Sequence, residues 1–305
     1  MSSGTKELGQ FVDGLALPST DDETALRKEA WHRVEKFMAS RNYEPFESNM
    51  ASGEGCHKRR PWGKEAKNDG LFLRAQDAVG YEEKVLRGSD QCFNEAIHRP
   101  LLHRYHQDHS GVVVIMVAQT DWQSKVQPAM LGEWSRLVER LWNAHRIWLS
   151  IHSGATVVSP GSSGPDPSPT GKRSPAPAAL VADLATSLPG DAMRCKDEFR
   201  AAVRAAAGEY ADGSGYGLRW LSKRHATLTG PDGPLALCTG WEDGPGGGVG
   251  ELGEAVGTAC LACWRDRTIG AAVILGARYL GKRGKDEMSG FLSRLESENI
   301  HSRMV

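Results

Sequence analysis

Three short patterns hold residue types that could do chemistry. Gly248, Gly250 and Gly253 stand in the order G-x-G-x-x-G, with Gly257 and Asp266 further on. Such glycines let a backbone approach a pyrophosphate at a helix start, and a downstream acid can hold the ribose. The strand that should precede them ends near Thr239, too early for that geometry, and glycine fills 35 of the 305 positions. The stretch therefore reads as a flexible loop. Cys260 and Cys263 form a C-x-x-C pair, half of a zinc site or a redox couple. No second pair accompanies it, and Cys195, His225 and Cys238 lie at irregular distances. Two thiols on the buried face of a helix account for the pair.

His98, His103, His106 and His109 fall close together, and His103 and His106 are about one helical turn apart, near enough to share a metal. No carboxylate stands in the H-E-x-x-H arrangement. The histidines read instead as a basic helix surface facing solvent or DNA. The chain contains no G-x-S-x-G elbow, no P-loop and no deaminase-type zinc pattern. No catalytic residue, cofactor or metal is assigned on these grounds.

The elements that would carry these groups follow from the apolar spacing. Residues 20–40 predict a helix capped by Thr20 or Asp21, with Leu26, Ala30, Val34, Phe37 and Met38 on one face. An irregular hairpin is expected over 42–61, and helices over 66–79 and 89–106, the latter broken at Pro100. The run GVVVIMVA, 111–118, is a buried strand. Residues 126–152 predict one long amphipathic helix bearing Leu131, Trp134, Leu137, Val138, Leu141, Ile147 and Trp148. Further on, 192–210 and 251–264 read as helices, and 218–229 and 235–239 as paired strands about a Gly-Pro-Asp-Gly-Pro turn. Residues 268–275 fit a strand or a buried helix. No internal repeat is evident.

Composition sets the frame. Lys plus Arg number 37 and Asp plus Glu 38, so charged binding must be local. The six scattered cysteines lack a secreted disulfide framework, and no apolar run reaches the roughly 18 residues that span a bilayer. The expectation is a reduced, nuclear or cytoplasmic protein without a membrane partner. Residues 159–178 are dominated by Pro, Ser and Gly, which cannot bury enough surface to offset ordering entropy. The expected domains are an α-rich lobe over 1–152, a disordered linker over 153–180 and an α+β interaction lobe over 181–305. Nine tryptophans, many beside basic residues, read as core anchors.

In chain order the first lobe resembles the winged-helix DNA-binding domain of interferon regulatory factors over about residues 24–118. Trp31 looks like that family's first-helix tryptophan. Arg60-Pro61-Trp62-Gly63-Lys64 is similar to the end of its second strand, and Gly70-Leu71-Phe72 with Ala78-Val79-Gly80 to its second helix. Asp90, Phe93, Ile97, His98, Arg99 and Leu101 resemble its recognition helix, and Val112 to Val117 its closing wing strand. The sequence departs from the family where Ala75 and Phe93 replace tryptophans, Asn94 and His98 replace basic residues, and Pro100 enters the helix.

The resemblance implies a winged-helix-like lobe of helices on a small antiparallel sheet, and a transcription regulator, modulator or decoy whose partner is duplex DNA. Its nucleic-acid-binding residues would be Lys58, Arg59, Arg60, Lys64, Lys67, His98, Arg99, His103 and Arg104. Phosphate neutralisation needs only such a patch. A protein partner would bind through the second lobe or helix 126–152. Two alternatives stay open: an enzyme with a site between the lobes, using His225 or the histidine helix with acids near Glu242 and Asp243, and an assembly protein with the Trp-lined helix as its interface.

Overall fold

A computed structural model describes residues 3–48, 69–75, 77–87, 90–106, 109–123, 125–162, 180, 183–184, 186–188, 195–231, 233–242, 251–265, 269–278 and 292–304. The chain divides into two compact units, one built mainly from residues up to Asp166 and the other mainly from Pro167 onward. Both are mixed αβ structures. Among the described residues no helix is long and apolar enough to cross a membrane.

In the first unit, helices α1 (Ser3–Asp13) and α2 (Glu23–Ser40) lead into strands β1 (Glu44–Ser48), β2 (Gly70–Arg74) and β3 (Asp77–Leu86). Helix α3 (Asp90–His106) crosses to β4 (Gly111–Ala118). Helices α4 (Thr120–Gln123) and α5 (Pro128–His145) precede β5 (Ile147–Ser153) and β6 (Thr156–Val158). The sheet runs β1-β2-β3-β4-β5-β6. Its first three strands form an antiparallel meander, β3, β4 and β5 are parallel, and β6 returns antiparallel.

Alternation along β3 and β4 sorts the layers. Val79, Tyr81, Val85, Val113, Ile115 and Val117 share a core with Leu8 and Val12 of α1 and Leu26, Ala30, Trp31, Val34 and Met38 of α2. The other face of β3 looks toward α3, where Glu82 meets His103. Strand β4, buried at every position, is apolar throughout, GVVVIMVA.

Two predicted helices are corrected. Residues 66–79, outside the undescribed 66–68 and 76, are strand rather than helix. Gly70 pairs with Tyr81 and Leu73 with Ala78, and Ala75 takes a positive φ of 52° in the turn. Trp31 lies over β2, where a Cβ on Gly70 would come within 2.2 Å of its ring. The long helix over 126–152 ends at His145, because Arg146 turns left-handed at φ 60°, and Ile147 begins β5. Ile147 and Trp148 fit the helical spacing only because β5 is buried on both faces from its first residues. Helix α3 runs through Pro100 without the expected break. The sheet is mixed and six-stranded where the resemblance implied a small antiparallel one, and Val112 to Val117 lie in its parallel centre.

The second unit contains helix α6 (Lys196–Ser214), strands β7 (Gly217–Trp220), β8 (His225–Gly230) and β9 (Gly233–Glu242), helix α7 (Glu251–Arg265), and strands β10 (Ala271–Arg278) and β11 (Ile300–Met304). Its sheet runs β11-β10-β9-β8-β7, with the meander β7-β8-β9 antiparallel and β9, β10 and β11 parallel. Of residues 268–275, open between strand and helix in the sequence, those from Ala271 onward are strand β10, and 268 lies outside the described residues. Of the linker expected over 153–180, residues 153–162 instead continue the first sheet through the end of β5, strand β6 and a turn, and 163–179 lie outside the described residues.

Candidate functional site

Strand β3 holds three consecutive charged residues, Glu82, Glu83 and Lys84, each no more than 6% exposed. Ionised groups are almost never buried unless paired, since leaving water costs several kcal/mol per ion. Their partners come from three elements. Asp69, just ahead of β2 and itself buried, accepts from the Glu83 backbone N–H at 2.9 Å and from Arg27 Nη2 of α2 at 2.9 Å. Arg27 Nε also lies 3.3 Å from Glu83 and its Nη2 3.6 Å from Glu23. Lys84 Nζ reaches Glu23 at 3.3 Å and Glu95 of α3 at 3.8 Å. His103 Nε2 donates to Glu82 at 3.0 Å.

Local folding explains each placement. Asp22 caps α2 by accepting from the Thr24 N–H at 2.8 Å, which sets Glu23 and Arg27 in the first turns. The meander places Asp69 one register step beyond the Gly70–Tyr81 pair, opposite Glu82. Alternation sends Glu82 and Lys84 toward α3 and Glu83 toward α2. The cluster therefore sits in the carboxyl-terminal half of β3, between the first turns of α2 and the stretch of α3 from Glu95 to His103. From the buried acids Lys84 leads outward to Glu23 and Glu95, whose side chains are 34% and 30% exposed, and Glu95 pairs with Arg99 at 42%.

Among the described residues the acids of the cluster outnumber its cations. Glu23, Asp69, Glu82, Glu83 and Glu95 are met by Arg27, Lys84, Arg99 and the imidazole of His103. Burial pushes the Asp69 carboxyl up to about 6, and the neighbouring Glu82 adds to the rise. Burial likewise pushes Glu83 up to about 8, with Asp69 and Glu82 contributing against the opposing effect of Tyr81 and Arg27. For Glu82 burial acts upward as well, but the hydrogen bond and charge of His103 outweigh it and hold this carboxyl below its ordinary value. Glu82 Oε2 is buried with no hydrogen-bond partner among the described residues. An ionised carboxylate oxygen in that state lacks a cation or donor.

The site residues expected from the sequence land elsewhere or play other parts. Lys58, Arg59, Arg60, Lys64 and Lys67 lie outside the described residues. His98 is buried, with Nδ1 2.7 Å from the Asn94 carbonyl. Burial, with Arg99 adding, pushes its pKa down to about 3, so it is a neutral core group. His103 faces Glu82 and stacks on His109 at 5.9 Å. The described part of the histidine cluster thus turns inward where a surface was expected. Arg99 is half-exposed and pairs with Glu95 at 3.7 Å, and Arg104 donates to the His109 carbonyl at 2.8 Å.

The glycine loop 244–250 lies outside the described residues. Cys238 and Cys260 are buried free thiols, and burial raises them and Cys263 far above the ordinary thiol range. A thiol held protonated is a poor nucleophile and metal ligand. His225 pairs in register with Cys238 within the second sheet.

Sequence reasoning missed Asp69, Glu82, Glu83, Lys84, Arg27 and Glu23. The available signal was the charged triplet set inside the apolar run from Val79 to Leu86. Among the described residues no three His, Cys, Asp or Glu side chains converge as a ready metal cage. Comparison with family models, with curated proteins and with solved structures finds no match to this chain.

Proposed function

We propose that the first unit hydrolyses phosphodiester bonds in nucleic acid, with Asp69 and Glu82 holding a divalent cation and Lys84 contacting the reacting phosphate. The observation that carries this reading is a buried Asp-Glu-Lys set in the carboxyl-terminal half of a parallel strand, with the Glu82 Oε2 atom unpartnered among the described residues. In open αβ sheets this end of the strands is the usual place for a ligand. Mg²⁺ is commonly held by one or two carboxylates together with substrate phosphate and water, not by an all-protein cage. The missing cage is therefore no obstacle to such a site.

A bound cation would supply charge neutralisation at the phosphate and a lowered pKa for attacking water. The remaining work belongs to the chain. Glu82, kept ionised by His103 on Oε1, would hold the cation through Oε2, and the attacking water gives its proton to solvent as its oxygen bonds to phosphorus. The Lys84 ammonium faces the charge on the non-bridging oxygens, and the bond to the leaving ribose oxygen breaks as that oxygen takes a proton from solvent. Arg27 and the Glu83 N–H fix the Asp69 carboxylate. The preference for a nucleic-acid substrate rests on the chain just before Asp69, where residues 57–67 carry Lys58, Arg59, Arg60, Lys64 and Lys67 against Glu65.

The regulator reading from the sequence shares the DNA partner and differs in having no chemistry. One experiment separates them: incubation of labelled duplex and single-stranded DNA with the intact protein and Mg²⁺. Cleavage that falls at least 100-fold in Asp69→Asn and in Lys84→Met, with melting temperatures kept, supports hydrolysis. Retention of DNA without cleavage supports the regulator, and neither binding nor cleavage removes both.

A further inference from the structure

The two units repeat one plan. In each a helix, α2 or α6, leads into a three-stranded antiparallel meander, a later helix, α3 or α7, precedes a strand parallel to the third, and another parallel strand lies beyond it. The agreement extends to single residues. The buried positions Leu26, Ala30, Val34 and Met38 of α2 match Phe199, Val203, Ala207 and Ala211 of α6 at one constant separation. At the same separation Arg27 corresponds to Arg200, and both are ion-paired arginines, Arg27 with Asp69 and Arg200 with Glu251.

The strands align equally well. The β3–β4 ladder opens with Val79 on Gly111, and the β9–β10 ladder with Leu235 on Ala271. Counting on from these pairs, Glu82, Glu83 and Lys84 correspond to Cys238, Thr239 and Gly240. The meander then sets His225, the partner of Cys238, where Asp69 stands in the first unit. Face agrees with register, since Leu235, Leu237 and Trp241 pack with α6 as Val79, Tyr81 and Val85 pack with α2. Every carboxylate and the lysine are thus replaced. The space is filled as well: a Cβ on Gly240 would lie 2.5 Å from Leu252 Cα and 2.8 Å from the Glu251 carbonyl oxygen. Backbone of α7 occupies the place where Lys84 has its side chain.

Taking the proposed phosphodiester hydrolysis as premise, we infer that the second unit is a copy of the same module without its reacting set, so each chain has one cation site and cuts one strand of a duplex per encounter. Two strands of opposite polarity need two reacting centres, or one centre acting twice. At the places corresponding to Asp69, Glu82, Glu83 and Lys84 the second unit has His225, Cys238, Thr239 and Gly240, none of them a carboxylate or an ammonium.

Two measurements on the intact protein test this. Titration with Mn²⁺ alone, followed by calorimetry, is expected to give one site per chain, lost in Asp69→Asn and kept in His225→Ala and in Cys238→Ala. Two sites per chain, or loss of the site in His225→Ala, overturns the inference. Supercoiled plasmid and Mg²⁺, at a concentration where sedimentation shows single chains, should yield nicked circles first and linear DNA only later through independent cuts. Linear product formed without a nicked precursor also overturns it. The premise fails separately, by absence of both Mn²⁺ binding and any strand cleavage.

Discussion

The backbone N–H of Glu83 donates to the side chain of Asp69 at 2.9 Å, tying the middle of β3 to the residue that enters β2. Because of this bond the two acids cannot drift apart to relieve their repulsion, and Arg27 between them is held by both. The stability of the cluster and the cation binding proposed for it are therefore linked.

Replacing Arg27 by Met should show that link. Breaking a buried ion pair costs about 3 to 5 kcal/mol, and because the Arg27 side chain is 21% exposed the expected loss is nearer about 2 kcal/mol. Millimolar Mg²⁺ should restore part of it by taking over the positive charge. Denaturant midpoints with and without Mg²⁺ measure both effects, and a variant as stable as the parent would contradict the described pairing.

Glu83 gives a pH signature. Its carboxyl is raised from 4.5 to about 8 in the folded chain, so its stabilising contribution is full below about pH 4.5 and is lost as pH rises through about 8. Glu83→Gln, neutral at every pH, should melt higher than the parent at pH 8 to 9, with the gap narrowing below pH 5. Equal slopes of melting temperature against pH in the two proteins would reject the assignment.

His98 works in the opposite direction. Burial lowers it from 6.5 to about 3, and burial also lowers His145 and His152 to about 4. A depressed base contributes stability that is present above pH 6.5 and lost as pH falls toward the folded value. His98→Gln keeps a donor for the Asn94 carbonyl without a titrating ring. Acid unfolding followed by circular dichroism should shift to lower pH in this variant, and an unshifted midpoint would assign the acid limb to other groups.

How much could be read without coordinates depends on the kind of pattern. Helix α2 was legible because five residues of one face recur at helical spacing, while its cap is Asp22 where Thr20 or Asp21 was expected. Strand β4 was legible because eight apolar residues in a row, mostly β-branched, suit a position buried on both faces. The pattern failed where a strand was mistaken for a helix. Residues 70–79 carry no clean alternation, since β2 is covered by Trp31 across Gly70 and its turn needs only Ala75 in a left-handed conformation.

The sequence by itself determined the composition of both units, the positions of α2, α3, α6, α7 and β4, and the presence of a basic stretch ahead of Asp69. Tertiary structure alone decided which charges matter. Glu82, Glu83 and Lys84 look like any solvated triplet until the sheet buries them on both faces, and His98 and His103 look like a surface until α3 turns them inward. The repeated plan was equally invisible, because residues as different as Leu26 and Phe199, or Lys84 and Gly240, can hold the same place in a fold. Local spacing constrains only the next few residues along the chain. Burial and pairing are set by neighbours that come from distant parts of it.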